Sequence, residues 1–111
     1  MNQPENLDEA VSTLEAALST QDRELLKRSD PSEFHHGLGR GIRNSFNLWS
    51  KDSILVQWFE QNLGIVHADD LSGTIMASLC SKLRGEPFNP TEHVIKYKEH
   101  WKRMGHDPMS V

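Results

Sequence analysis

The sequence predicts an all-α fold, a compact single-domain bundle of five or six helices, and three observations carry that prediction. Apolar residues recur at three- and four-residue spacing in segment after segment. Two segments open on nearly the same helix-start signal, Asp30-Pro31-Ser32-Glu33 and Asn89-Pro90-Thr91-Glu92. No segment alternates apolar and polar residues between hairpin turns, as a half-buried strand would.

Taken in order, Asn6-Leu7-Asp8-Glu9 reads as an N-cap with acids in the first turn, followed by Leu7, Val11, Leu14 and Leu18 at helical spacing. A short second helix is expected from about Gln21 to Arg28. The cap at Asp30, with proline at N1 and glutamate at N3, starts a third helix. "SKDSILVQWFEQNLG" places Ile54, Leu55, Trp58, Phe59 and Leu63 on one broad face and ends on Gly64. "HADDLSGTIMASLCSKLRG" repeats Leu71, Ile75, Leu79 and Leu83 at four-residue steps, opens on His67 as N-cap and ends on Gly85. The last helix follows Pro90 and carries Val94, Tyr97, Trp101 and Met104 on one side. Along the chain this divides into an N-terminal helical segment (1–29), a core helical region (30–85) and a C-terminal helix laid on the core (86–111).

Bulk properties narrow the function classes. At 111 residues with 36% hydrophobic and 25% charged residues, the chain fits one globular domain. A net charge of -4 argues against general nucleic-acid binding. Cys80 is the sole cysteine, so neither an internal disulfide nor a multi-cysteine zinc site can form, and its apolar helical setting marks it as core. The start "MNQPENLDEA" has no signal-peptide pattern, and no apolar run approaches the ~20 residues of a membrane span, so a cytoplasmic protein without membrane contact is expected. Trp49, Trp58, Phe59 and Trp101 read as core aromatics. The run Lys96, Lys98, Lys102, Arg103, interleaved with Glu92 and Glu99, reads as a solvated face.

The unusual stretch is His35-His36-Gly37-Leu38-Gly39-Arg40-Gly41-Ile42-Arg43-Asn44. Its glycine spacing matches neither nucleotide-binding loop, and the preceding cap puts it in a helix. Each interior glycine costs about 0.5–1 kcal/mol relative to alanine, so side chains there would obstruct something. Helical phasing puts Phe34, Leu38, Gly41, Ile42 and Ser45 on the core seam, with Gly37 and Gly41 admitting a neighbouring helix. The opposite arc holds His35, His36, Arg40 and Arg43 around Gly39, a cationic notch suited to carboxylates or phosphates. Its internal partner would be Asp69 or Asp70, in the first turn of the helix that His67 caps; the alternative is an external ligand. His35, His36, His67, Asp69 and Asp70 have metal-ligand chemistry, but their spacing matches no metal signature and the arginines oppose a cation, so no metal and no cofactor are expected. An enzyme reading would use His35 as general base, Arg43 to stabilise an anion and Asp70 to orient one of them.

"FHHGLGRGIRNSFNLW" with "GIVHADDLSGTIMASL" resembles a small domain family of bacteria and phages, a domain of unknown function, over residues 30–85. The family pattern, His-x-Gly-x-Gly-x-x-Ile/Leu-Arg-Asn then Leu-Trp, falls on His35, Gly37, Gly39, Ile42, Arg43, Asn44, Leu48 and Trp49. A second block falls on His67, Asp69, Asp70, Leu71 and Ser72; Ala68 stands where the family often has proline. The resemblance implies that His35, Arg43, Asn44, His67, Asp69 and Asp70 belong together, and it supplies no activity. The expectation is a small non-catalytic binding or regulatory module for a protein partner or anionic small molecule, in a setting such as phage inhibition of a host defence. The enzyme on a phosphate- or nucleotide-containing substrate is the alternative.

Overall fold

The computed structural model describes residues 3–111; the first two residues of the N-terminal segment lie outside it. Its order is α1 (Leu7–Ala17), α2 (Thr20–Arg28), a single 3-10 turn (Pro31–Phe34), α3 (Leu38–Ser45), α4 (Ile54–Leu63), α5 (Ala68–Arg84), α6 (Pro90–His93) and α7 (Ile95–Arg103). The last two are parts of one helical run, joined at Val94. There is no strand among the described residues, and the Cα radius of gyration of 13.5 Å suits one domain of this length.

The caps act as the sequence requires. The side chains of Asn6, Ser19, Asp30, Ser53, His67 and Asn89 each accept a hydrogen bond from a first-turn backbone N–H. Gly64 and Gly85 end α4 and α5 in the left-handed conformation. Helix α5 is the axis of the fold: α1, α2, α3 and the 3-10 turn all contact it. Leu71, Ile75 and Leu79 are fully buried, with Leu83 at the edge. Leu7, Ala10 and Val11 of α1, Leu26 of α2 and Val94 join the same core. Cys80 is buried in it, and burial pushes its thiol pKa up. Arg84 fixes α2 to the far end of α5 by donating to the Lys27 and Ser29 carbonyls at 2.8 and 2.6 Å.

Three expectations are corrected. First, the helix that starts at Asp30 does not continue through the glycine stretch. It is one 3-10 turn, a break at His35–Gly37, and then α3, whose N-cap Gly37 has non-helical angles. The break shifts the helical phase and reverses the glycine roles. A Cβ on Gly37 or Gly41 would meet nothing within 4 Å, whereas one on Gly39 would lie 3.1 Å from the Phe34 carbonyl oxygen and 3.2 Å from Arg43 Nη1. Gly39 is therefore the close-approach position. Ile42 remains on the buried side, and Gly41 and Ser45 are exposed. Second, Trp49 is 61% exposed rather than core, because α3 ends at Ser45 and Asn47 (φ 54) turns the chain away from the helix axis. Third, Ile54 and Met104 lie outside the apolar faces assigned to them, with Val56 taking the inner position on α4.

Gly41→Ala should stabilise the fold by about 0.5–1 kcal/mol, since it removes helix-interior flexibility in open space. Gly39→Ala should destabilise it by about 1–3 kcal/mol, because backbone and guanidinium must both yield. Urea denaturation of the two variants gives both signs.

Candidate functional site

The break before α3 aims the Arg43 side chain inward. Arg43 is 6% exposed and spends its donors on two other elements, the end of the 3-10 turn and α5. Nη2 donates to the His35 carbonyl at 3.0 Å, Nη1 donates to Ser72 Oγ at 2.9 Å, and Nε lies 3.5 Å from Asp69 Oδ1. The Ser72 hydroxyl in turn donates to the Asp69 carbonyl at 3.1 Å. The guanidinium thus joins the 3-10 turn, α3 and the first turn of α5. A buried cation beside the positive end of α5 needs a nearby anion, and Asp69 supplies it. Asp69 is also the residue whose backbone N–H donates to His67 Nδ1 at 3.2 Å, which makes His67 the N-cap of α5.

Asp70 has a different partner. It is 9% exposed, and Oδ2 accepts from Trp101 Nε1 at 2.8 Å. Burial raises its pKa, with the Trp101 hydrogen bond opposing that rise. One turn further along α5, Gly73 lets α7 come close: a Cβ there would sit 2.6 Å from the Tyr97 hydroxyl. Tyr97 OH is 3.0 Å from His93 Nε2. Desolvation pushes Tyr97 up to about 12 and His93 down to about 4, so both are neutral near pH 7.

Between these contacts lies a cavity of about 760 Å³. Its floor is one face of α5, from Asp69 and Asp70 through Gly73, Met76 and Ala77 to Ser81 and Arg84. One wall is Asp30, Pro31, Ser32, His35 and His36 with Gly39; the other is Phe88, His93, Lys96 and Tyr97. His35 and His36 line it, with their rings in edge contact at 4.9 Å. Asp69 and Asp70 line it too. Arg43 supports the floor from behind and is not part of the lining, while Arg40 and Asn44 are exposed outside it. His67 sits between the Trp49 and Trp101 rings, at 5.9 and 5.3 Å.

The structure therefore brings His35, Arg43, Asp69 and Asp70 into one neighbourhood, and leaves Arg40 and Asn44 away from it. The cationic notch expected around Gly39 does not form as drawn. Arg43 turns inward, and the Gly39 position is filled by Arg43 Nη1 and the Phe34 carbonyl. Sequence reasoning missed His93, Tyr97 and Gly73. The four-residue step from His93 to Tyr97 on one helix face was the available signal. Among the described residues no group of three or more His, Cys, Asp or Glu side chains is arranged to hold a metal ion. No helix among them is long and apolar enough to cross a membrane.

A family profile described as a domain of unknown function (DUF6794) matches residues 3–83. That stretch takes in α1 and α2 as well as both sides of the Arg43 junction. No curated protein and no solved structure matches the chain.

Arg43→Ala leaves Ser72, the His35 carbonyl and Asp69 without their donor, and should cost about 2–4 kcal/mol of stability. Arg40→Ala should stay within about 0.5 kcal/mol of the parent; chemical denaturation separates the two. The pH dependence carries two opposite signs. His93 is held neutral in the fold, so its contribution is complete above about pH 6.5 and is lost as pH falls toward 4. Asp70 is raised, so its ionisation erodes stability as pH rises above its unfolded value of 3.8. His93→Gln should flatten the loss between pH 6.5 and 4, and Asp70→Asn, which keeps an acceptor for Trp101, should raise the urea midpoint at pH 7.

Proposed function

The chain belongs to the DUF6794 family, whose description carries no activity, and we propose that it is a non-catalytic binding module that takes a protein partner in the groove along α5. The observation that supports this reading is the cavity itself: about 760 Å³, walled on two sides and floored by a helix that is already fixed in the core on its other face. Pre-formed concave surfaces are the usual form of binding sites.

The alternative enzyme reading assigned anion stabilisation to Arg43. That guanidinium already spends its donors on Ser72, the His35 carbonyl and Asp69, which argues for a supporting role. Asp70 is likewise engaged, by Trp101. A small anion is also a poor fit, because three carboxylates, Asp30, Asp69 and Asp70, line the cavity with only Lys96 and Arg84 as cations among its lining residues. Within the resembled motif blocks, His35, Asp69 and Asp70 lie at the groove, while Arg43 and His67 hold its end in shape. The bacterial and phage setting implied by that resemblance makes interaction with a host protein in the cytoplasm, such as a component of a defence system, the biological context of the proposal.

A photo-crosslinking side chain at Ala77, on the groove floor, tests it in producing cells against the same group at Arg40, which is exposed elsewhere. The proposal predicts a discrete protein adduct from position 77 and none from position 40. Equal adducts from both positions, or none from 77, contradict it.

A further inference from the structure

The groove has a direction, and from it we infer the partner's chemistry: an extended peptide segment of about six residues, basic at one end and acidic at the other. This rests on the groove being the binding site and adds what it selects.

Length comes from the helix floor. Asp70 and Arg84 are fourteen positions apart on α5, which at 1.5 Å per residue is about 21 Å. A cavity of about 760 Å³ spread over that distance has a mean cross-section of about 35 Å². A helix with its side chains occupies roughly 80 Å², so it is too wide, whereas an extended chain at about 3.3 Å per residue spans the groove in about six residues.

Charge gives the direction. At the N-terminal end of α5, Asp69 and Asp70 face the groove, and Arg43 behind them offsets one of the two charges. At the other end stand Arg84 and Lys96, with Asp30 of the first wall beside them as the opposing charge. The Asp30 carboxyl is held below the usual range first by the Ser32 backbone N–H and hydroxyl, and then by the charges of Lys96 and Arg84. Each end therefore keeps about one net charge, negative beside His35 and positive beside Phe88. The middle is Gly73, Met76 and Ala77, faced by Tyr97 and His93, neither of which is charged near pH 7. Small, uncharged side chains at the centre of the segment suit that floor, and the dipolar ends fix its polarity.

A random heptapeptide display library, selected on the 111-residue chain and eluted by competition, reads this directly. The expected pool has Lys or Arg at one end, Asp or Glu about five positions away, and uncharged residues between. Binding of a selected peptide should be abolished by Ala77→Trp, which fills the groove. Lys96→Glu should weaken it about two- to fivefold, the scale of one exposed charge pair, and should favour by a similar factor the same peptide with lysine replacing its acidic residue. Groove-dependent peptides with no charge pattern, or with one charge sign throughout, overturn the inference and leave the binding-module reading standing. A library that yields nothing blocked by Ala77→Trp overturns both.

Discussion

Everything at the candidate site hangs on one buried guanidinium. Arg43 is the point where the 3-10 turn, α3 and the start of α5 meet: it reaches back to the His35 carbonyl and across to Ser72 and Asp69 of α5. Burying a cation is costly unless its donors and its charge are all matched. Here the matching groups are a carbonyl, a hydroxyl and a carboxylate that the local folds must first deliver. The glycines follow from this demand. Gly39 carries no side chain because the Phe34 carbonyl and Arg43 Nη1 already fill that space. Gly37 takes a backbone conformation that interrupts the helix, so that the His35 carbonyl is free to accept from Arg43 instead of from a continuing helix.

The groove is the consequence of two different attachments to α5. On one side the Arg43 junction fixes the 3-10 turn against the helix. On the other, α6 and α7 reach α5 through Val94 in the core, Trp101 on Asp70 and the Tyr97 hydroxyl over Gly73. These contacts are close at the N-terminal half of α5, and Phe88 and Lys96 stand further along the wall, so the space between the two walls stays open along the helix. The two acids of the first turn divide the work. Asp69 compensates Arg43, and Asp70 holds Trp101. Both also line the cavity.

Much of this was legible in the residues. The caps at Asn6, Asp30, His67 and Asn89, the glycine stops at 64 and 85, and the Leu71-Ile75-Leu79 stripe give the helices and the core face of α5, because capping and periodicity are local properties. The pairing of Arg43 with Asp69 was also within reach, since opposite charges in two neighbouring helices were the simplest solution. What local reasoning could not supply was phase across a break. One continuous helix through His35–Gly37 places Arg43 outward and Gly41 inward, and the observed interruption exchanges them. Nor could spacing alone show that Tyr97 and Trp101 return to α5 from the far end of the chain, because those contacts depend on how the Gly85–Asn89 connection turns.

The account stands or falls on whether Arg43 is an anchored structural cation. Nitrogen-detected NMR of the guanidinium at 25 °C measures this, with the exposed Arg40 as the internal reference. The account predicts an Arg43 Nε–H that exchanges slowly with water and a guanidinium whose rotation is hindered, both distinct from Arg40. Rapid exchange and free rotation of Arg43, matching Arg40, would contradict it.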